Sequence, residues 1–325
     1  MTPIHVGRQW QDDPRQLLLR PFDGSQGDYD ALAQIRNATL RPVTLPEDFR
    51  EADGEEMARF YSRSGFSMTD NCWLMLLAEA PVAAAVLFPR AIFNDRPPGN
   101  FDMYVVPQRR RHGLGSRLLA HLEQAAVGRG YPVLETTIAQ EDGQSTEFLL
   151  RHGFGVVGKS MHLTLDDIAS SPSAGPPDGY SVMSLAEMGE PPDLYMDTAN
   201  RLGSYDIGFS LIRPEDMENL VSSPHWEPQG VFFSFDPMGR IVGVIRSSGA
   251  RAGRGYLHEI RLEPGSRGIG LGRAMLGAAL GYLAQNGVQS ADLDASGDQT
   301  AAYALALRAG FQVTRHWLHF LKRLG

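Results

Sequence analysis

Hydrophobic residues follow two alternating patterns along the chain. Runs rich in aromatic and β-branched residues at 101–106 and 256–262 are each followed closely by a proline, and they predict β-strands. A helix is predicted after each of these strands, and glycines at 130 and 287 predict where the two helices end. In these helices apolar residues recur at the spacing of one helix face, namely Leu114, Leu118, Leu119, Leu122 and Ala126 in the first and Leu271, Met275, Leu276, Ala279 and Leu283 in the second.

The same reading extends to the rest of the chain. Short helices are predicted to end at His152 and Ala309. This order of elements predicts a mixed α/β protein, an α+β arrangement around a mixed sheet. Further strands are predicted at 73–77, 82–88, 133–138, 156–165, 231–235, 241–245, 288–294 and 312–321.

A repeat organises these elements. A shift of 157 positions places Pro107 on Pro264, Gly113 on Gly270 and Gly153 on Gly310, and it needs no insertion over more than fifty residues. We therefore predict two copies of one domain. The boundaries are an N-terminal arm at 1–15, a first copy at 16–168, a Pro-, Gly- and Ser-rich linker at 169–179 and a second copy at 180–325.

Composition narrows the class of protein. The 325 residues include 30 Lys and Arg against 38 Asp and Glu, a net charge of −8, which argues against a nucleic-acid partner. The longest apolar stretch, from Trp73 to Phe88, is broken by Glu79 and Pro81, so no membrane span is expected. No secretory signal is recognisable, and the single cysteine, Cys72, allows no internal disulfide, so we expect a cytoplasmic protein.

Each copy carries an Arg-x-x-Gly-x-Gly turn between its predicted strand and helix. Glycines let backbone N–H groups approach a ligand closely, and a helix N-terminus favours an anion. The spacing fits neither the dinucleotide-binding fingerprint nor the P-loop, since no third glycine and no Gly-Lys-Ser/Thr triplet follow. The turns therefore predict a pyrophosphate site, with Arg110 and Arg267 as additional donors.

The turn, together with Arg-x-Gly-Phe at 151–154 and 308–311, resembles the GNAT family of N-acetyltransferases in both copies. The resemblance implies that acetyl-CoA is the cosubstrate and that its pantetheine arm pairs with a splayed strand. The implied strand residues are Met103, Tyr104 and Val105 in the first copy and Ile260, Arg261 and Leu262 in the second. The implied turn residues are Arg110, Arg111, His112, Gly113, Leu114, Gly115 and Ser116, and Arg267, Gly268, Ile269, Gly270, Leu271, Gly272 and Arg273.

Acetyl transfer to an amine needs a group that accepts a proton. Glu259 and Asp102 occupy matched positions five residues before the prolines, and Asp294 is a further candidate base. An ordinary strand carboxylate, paired in the second copy with Arg261 or His258, is the alternative. The histidines matched by the repeat, at 162 and 319, are expected to be packed or surface side chains.

The family's tyrosine, the acid for the leaving thiolate, is replaced in both copies. Leu149 and Ala306 stand at the matching positions, and neither donates a proton. Tyr303, one helical turn before Ala306, is the candidate replacement. The second copy alone combines Glu259, Asp294 and Tyr303, so we expect it to be the catalytic copy.

The sequence thus predicts an acyltransferase that moves acetyl from acetyl-CoA to a primary amine of a small molecule or peptide by direct attack in a ternary complex. Two alternatives stay open. One is a CoA-binding module without catalysis, and the other is a cysteinyl amine acceptor, because mycothiol synthases are also tandem GNAT proteins. We expect a monomer or homodimer without a metal, since no ligand cluster appears in the sequence.

Overall fold

The structure is a computed structural model that describes residues 17–42, 49–61, 67–89, 99–171, 174–204, 211–223, 226–251, 254–296 and 300–325. The predicted N-terminal arm lies outside these residues. The chain forms two compact units. Unit 1 consists of residues 1–88, 99–131 and 324, and unit 2 of residues 89–98, 132–323 and 325.

Unit 1 contains strands in the order β1-β2-β3-β4 and a core between them and the first helices. Asn37 ties the helical layer to the chain that follows it, because its amide donates to Ala52 O at 2.7 Å and accepts from Ala52 N at 3.1 Å. The described strands are β1 (Leu17–Pro21), β2 (Cys72–Leu77), β3 (Ala80–Pro89) and β4 (Gly99–Val105), and the helices are α1 (Gln26–Leu40), α2 (Gly54–Tyr61), α3 (Met68–Asn71) and α4 (Leu114–Gly128).

Unit 2 contains the remaining elements, with its strands in the order β5-β12-β6-β11-β10-β9-β8-β7. Strands β10 and β11 run parallel, whereas β12 runs antiparallel to both β5 and β6. The described strands are β5 (Val133–Ala139), β6 (Gly155–Leu165), β7 (Ser181–Ser184), β8 (Val231–Phe235), β9 (Ile241–Arg251), β10 (Arg254–Leu262), β11 (Ser290–Ser296) and β12 (Gln312–Arg323). The helices are α5 (Gly143–Arg151), α6 (Leu185–Met188), α7 (Asp193–Gly203), α8 (Pro214–Val221), α9 (Leu271–Gln285) and α10 (Thr300–Arg308).

Helices α4 and α9 end in the same way, as their glycines predict. Gly130 and Gly287 have positive φ angles of 74° and 77°. The next residue returns a hydrogen bond into the last turn, from Val288 N to Leu283 O in the case of α9. Because this cap uses the N–H of Val288, β11 begins at Ser290, two residues later than predicted.

The mixed α/β class is confirmed. The other predicted strands and helices lie within a few residues of the observed ones, except that β9 continues six residues beyond its predicted end at 245. The compact units divide the chain near residue 131 rather than at the linker. The reason is visible within unit 2, where strands of both sequence copies pair with one another: β12 lies between β5 and β6, and β6 also pairs with β11. The division into copies at 169–179 stays a prediction about the sequence.

Candidate functional site

Strands β10 and β11 part in the middle of unit 2. Their parallel register runs only from Arg254, opposite Ser290, to Leu257, opposite Leu293. Beyond this point β10 stays paired to β9 as far as Leu262, and β11 stays paired to β6. The two facing edges therefore open into a cleft that begins beside Leu257, and an extended ligand with amide groups could pair there.

A β-bulge accompanies the opening. Leu257 is opposite Ser247 on β9, whereas Glu259 is opposite Arg246, so β10 holds one extra residue at His258. A bulge bends its strand and re-aims the side chains next to it. His258 is held on the exposed side by a 2.8 Å hydrogen bond between its Nε2 and Ser248 Oγ.

A cavity of about 210 Å³ occupies the opening. Polar side chains and apolar side chains both contribute to its wall, so it offers a charged region beside an apolar one. Its lining consists of Ile245, Leu257, His258, Glu259, Ile260, Arg261, Leu276, Leu293, Asp294, Ala302, Leu305 and Ala306.

Glu259 lies in the cavity wall within a largely buried charged network. Its side chain is 12% exposed and forms an ion pair with Arg261 at 2.8 Å, with Arg246 at 3.9 Å. The Tyr195 hydroxyl donates a hydrogen bond to Glu259 and accepts one from Arg246 Nε at 3.0 Å. Burial, the largest cause, and the charge of Glu259 raise the pKa of Tyr195, so this phenol stays protonated. The Arg261 pairing suggested by the sequence is present, whereas His258 bonds to Ser248 instead.

Asp294 lies across the opening in a second hydrogen-bonded set. His162 Nδ1 is 2.9 Å from Asp294 Oδ1, and the Tyr256 hydroxyl donates to Asp294 Oδ2. Burial acts to raise the pKa of Asp294, but the hydrogen bonds from His162 and Tyr256 outweigh it, so this pKa lies below its ordinary value. Asp294 is therefore a carboxylate at neutral pH.

Helix α10 presents small and aliphatic side chains to the cavity. Ala302, Leu305 and Ala306 line it, whereas Tyr303 packs against the main hydrophobic core of unit 2. Ala306 and Leu149, at the family's tyrosine positions, are 1% and 3% exposed. The structure thus brings Glu259 and Asp294 to one cavity without placing Tyr303 in its wall.

The second glycine turn is built to receive an anion. Gly268 and Gly270 adopt positive φ angles of 80° and 94°, and open space lies where their Cβ atoms would be. Within the described part of the chain, the N–H groups from Gly268 to Gly272 donate to no backbone acceptor. Arg267 Nε donates to Leu262 O at 3.0 Å, so this side chain also ties the turn to the end of β10.

The first glycine turn, in unit 1, follows the same path with different residues. Arg110 Nε donates to Val105 O at 3.2 Å, as Arg267 does at its own strand end. Gly113 has a φ angle of 79°, but Arg111, a residue with a Cβ atom, has one of 65°. His112 Nδ1 is 2.7 Å from Arg110 O, so this ring contacts the turn itself.

The strand before this turn carries the remaining predicted residues. Asp102 and Tyr104 lie on one side of β4, and the Tyr104 hydroxyl donates to Asp102 Oδ2 at 3.3 Å. Burial raises the pKa of Asp102, although the Tyr104 hydrogen bond and the charge of Arg36 act against it. Burial also raises the pKa of Tyr104. Met103 and Val105 complete the predicted edge of β4.

The family was identified by comparison with known proteins. The family model described as "Acetyltransferase (GNAT) family" matches residues 32–154 and, a second time, residues 205–311. The chain belongs to the GNAT family of acetyltransferases. The two matches fall on the two copies that the repeat predicts.

Curated relatives and solved structures agree with this membership. A mycothiol acetyltransferase of Arthrobacter sp. (strain FB24) is 25% identical over 66% of this chain and 67% of its own length. Another, from Pseudarthrobacter chlorophenolicus, is 24% identical over 91% of this chain and 82% of its own. A GCN5-related N-acetyltransferase from Sphaerobacter thermophilus shares the fold, with 20% identity, a TM-score of 0.76 and 96% of each chain covered. A tandem GNAT protein from the clavulanic acid biosynthesis pathway has 18% identity and a TM-score of 0.69, covering 95% of this chain and 99% of its own.

GNAT membership confirms the predicted fold and enzyme class. The chain has the tandem GNAT fold and is an acyltransferase of a family that generally uses acetyl-CoA. No helix in the described residues is both long and apolar enough to cross a bilayer. Among those same residues, no three or more His, Cys, Asp or Glu side chains are grouped to hold a metal ion.

Sequence reasoning missed four side chains around the GNAT cavity: Tyr195, Arg246, Tyr256 and His162. The first two come from α7 and β9 and complete the environment of Glu259. The other two bond to Asp294. Alternation along β10 could have placed Tyr256 on the same side as His258, but the contact of His162 depends on strand pairing across 132 residues.

Proposed function

We propose that unit 2 transfers an acetyl group from acetyl-CoA to a primary amine by direct attack in a ternary complex. One observation carries this proposal. The parting of β10 from β11 opens a cavity that contains two carboxylates, Glu259 of β10 and Asp294 of β11. Directly after β10 the chain forms the anion-receiving turn. The strand edge and the turn that would bind CoA therefore come from one continuous segment, 257–273, and β11 adds Asp294.

The residues present fit acetyl-CoA. The stretch of β10 beyond its pairing with β11, at Ile260, Arg261 and Leu262, matches the extended pantetheine arm with its amides. The N–H groups from Gly268 to Gly272, at the N-terminus of α9, match the pyrophosphate, and Ile269, Leu271 and Arg273 belong to the same turn. An apolar wall of Leu276, Leu305 and Ala306 suits the acyl and thioester end of the ligand.

The two carboxylates of the cavity have different roles in this proposal. Glu259 is held by two arginines and a tyrosine, so its charge is engaged in fixing the wall. Asp294 is a carboxylate at neutral pH that can hold the acceptor ammonium close to the thioester. In the transfer, the ammonium first loses one proton, the neutral amine nitrogen then forms a bond to the carbonyl carbon, and the C–S bond breaks. The nitrogen loses a second proton after the attack, and the thiolate takes up one proton.

The departing CoA thiolate does not require an acid from the protein. A thiol has a pKa of about 8.5, so its thiolate leaves without an obligatory acid. This is consistent with Leu149 and Ala306 at the family's tyrosine positions. Tyr303 stays the candidate acid, and Tyr303→Phe tests it. If activity is unchanged in this variant, the thiolate takes its proton from solvent.

The relatives favour one particular acceptor within this proposal. Several are named mycothiol acetyltransferases, which points to the cysteinyl amine that the sequence analysis leaves open. An amine panel should therefore contain an S-blocked cysteinamide together with glucosamine, lysine and spermidine. Mass spectrometry of the acetylated products identifies the acceptor class without interference from free thiols.

CoA binding is tested at the two matched turns. Gly270→Glu should weaken CoA binding by about 100-fold or more in calorimetry, because it places a carboxylate and a strained φ angle where the pyrophosphate binds. Gly113→Glu carries the same change at the equivalent position of unit 1 and should leave acetylation within about threefold of the wild-type rate. If Gly270→Glu binds CoA as tightly as the wild type, the pyrophosphate assignment is wrong. If the wild type binds CoA but acetylates no panel amine, the transfer function is overturned.

A further inference from the structure

The last strands of the two sequence copies are exchanged within unit 2. Strand β6 ends the first copy, yet it pairs with β11 of the second copy from Ser160 to Leu165. Strand β12 ends the second copy, yet it pairs with β5 of the first copy from Val133 to Ala139. In each copy, β5 or β11 is the strand that follows the glycine turn and its helix. This strand therefore lies beside side chains that come from the other copy.

The exchange brings two matched histidines to two matched positions. His162 on β6 and His319 on β12 are 157 residues apart, as are Thr137 on β5 and Asp294 on β11. His162 is opposite Asp294 in the register of β6 and β11, and His319 is opposite Thr137 in the register of β12 and β5. The repeat therefore produces the same histidine contact twice, each time across the two copies.

The two contacts differ in the chemistry of the partner. His319 lies between two hydroxyls, with Nδ1 3.0 Å from Thr137 Oγ1 and Nε2 2.9 Å from Ser160 Oγ. His162 Nδ1 lies 2.9 Å from a carboxylate oxygen of Asp294. An ionised carboxylate only accepts hydrogen bonds, so Nδ1 carries the hydrogen and Nε2 has the lone pair when the ring is neutral.

Charged groups of both signs lie on the strands next to His162. On β11, Asp294 contacts one ring nitrogen and Asp292 Oδ1 lies 3.8 Å from the other. On β10, Arg254 bonds to Asp292 at 3.0 Å through two nitrogens, and the Tyr256 hydroxyl bonds to Asp294. On β12, Arg315 is opposite His162 and lies 5.5 Å from the Trp317 ring. Two carboxylates thus adjoin the imidazole, and one of the two is already paired with an arginine.

We propose that His162, supplied by the first copy, is the proton-accepting partner of Asp294 in the transfer site of the second copy. This inference rests on the proposed function of unit 2. The acceptor ammonium gives one proton, directly or through solvent, to His162 Nε2, which leaves a neutral amine and an imidazolium beside Asp294. The amine attacks the thioester, CoA leaves as a thiolate and is protonated, the remaining amide nitrogen loses its second proton, and the imidazolium returns its proton to solvent. The net products are the acetylated amine, CoA and one proton, with no change in oxidation state.

The two histidines supply a matched experiment. The rate of acetyl transfer, as kcat/KM for the best panel amine, is measured between about pH 6 and pH 9 for the wild type, His162→Gln and His319→Gln, and CoA affinity is measured for each. In His162→Gln we expect a loss of about 100-fold near pH 7 that shrinks towards pH 9, where more of the amine is neutral without help. CoA affinity should be retained. His319→Gln should follow the wild-type pH profile within about twofold.

Each outcome decides between the proposals. A loss in His162→Gln that is equal at every pH indicates a structural role and overturns the inference, as does an equal loss in His319→Gln. If His162→Gln misfolds and loses CoA binding, Asp294→Thr replaces it in the experiment. This variant copies the residue at position 137 and should show the same pH-dependent loss. A wild-type pH profile in Asp294→Thr overturns the inference. If no panel amine is acetylated by the wild type, the proposed function fails and this inference with it, whereas normal acetylation by His162→Gln overturns this inference alone.

Discussion

Asp102 on β4 and Glu259 on β10 occupy matched positions in the repeat, but the charged groups around them differ. In unit 2, Glu259 pairs with Arg261 at 2.8 Å, and Arg246 and Tyr195 complete its environment. In unit 1, the main polar contact of Asp102 is the Tyr104 hydroxyl, and burial raises the pKa of this carboxyl. The same position in the repeat therefore has different partners in the two copies. In unit 2 the carboxylate is paired with arginines, whereas in unit 1 burial disfavours the charged form of the carboxyl.

The largest expected effect comes from neutralising these two carboxylates. Glu259→Gln leaves the cations of Arg261 and Arg246 without their anion in a largely buried wall, and we expect it to destabilise unit 2 by about 3 kcal/mol. Asp102→Asn removes a charge that burial disfavours and keeps an acceptor for Tyr104, so it should stabilise unit 1 at neutral pH. Denaturant titrations of both variants measure the difference, and a similar loss of stability in both would break the comparison.

The pH dependence of stability sharpens the same contrast with a smaller effect. The pKa of Asp102 is raised on folding, so its ionisation costs stability above that pKa, and the cost disappears as pH falls below the ordinary value of about 3.9. The pKa of Asp294 is lowered on folding, so its contribution is favourable above about 3.9 and is lost as pH falls through the lowered pKa. Asp102→Asn should therefore raise Tm at neutral pH and Asp294→Asn should lower it. Both differences should shrink in acid, and a Tm difference that stays constant down to about pH 3 would contradict this assignment.

Local patterns predicted most of the fold and much of the candidate site. Helices α4 and α9, their glycine ends and the strands before the turns follow from spacing along a few residues, and so does the position of the anion-receiving turn. The parting of β10 from β11 was expected only through the family resemblance. The bulge at His258 that accompanies it was not anticipated, because a single extra residue leaves no mark in the alternation of so short a strand.

The contacts that complete the site could not be predicted because they depend on long-range strand pairing. No pattern within the first copy indicates that β6 pairs with β11, so His162 was expected to be a packed or surface side chain rather than a partner of Asp294. Tyr303 shows the opposite limit. Helical spacing allowed it to face the cavity, but Ala302, Leu305 and Ala306 are the residues of α10 that line the cavity, and Tyr303 is not among them.

The smallest expected effect concerns backbone strain in the two glycine turns, at another pair of matched positions. Gly268 adopts φ of 80° without a Cβ atom, whereas Arg111 adopts φ of 65° with one. A non-glycine residue in this region costs about 1–2 kcal/mol, and glycine loses about 0.5–1 kcal/mol through greater freedom in the unfolded chain. We therefore expect Arg111→Gly to stabilise unit 1 by up to about 1 kcal/mol and Gly268→Ala to destabilise unit 2 by about 1 kcal/mol.

Arg111→Lys is the matched control for the charge at this position, because it removes the guanidinium and keeps both the positive charge and the strained backbone. Its stability should lie within about 0.5 kcal/mol of the wild type. Hydrogen exchange of the amides in each turn and denaturant titration locate the change. If Arg111→Gly lowers stability, the side-chain interactions of Arg111 outweigh its backbone strain. In that case the side chain of Arg111 stabilises the first turn. The backbone preference for glycine would then not explain the difference between positions 111 and 268.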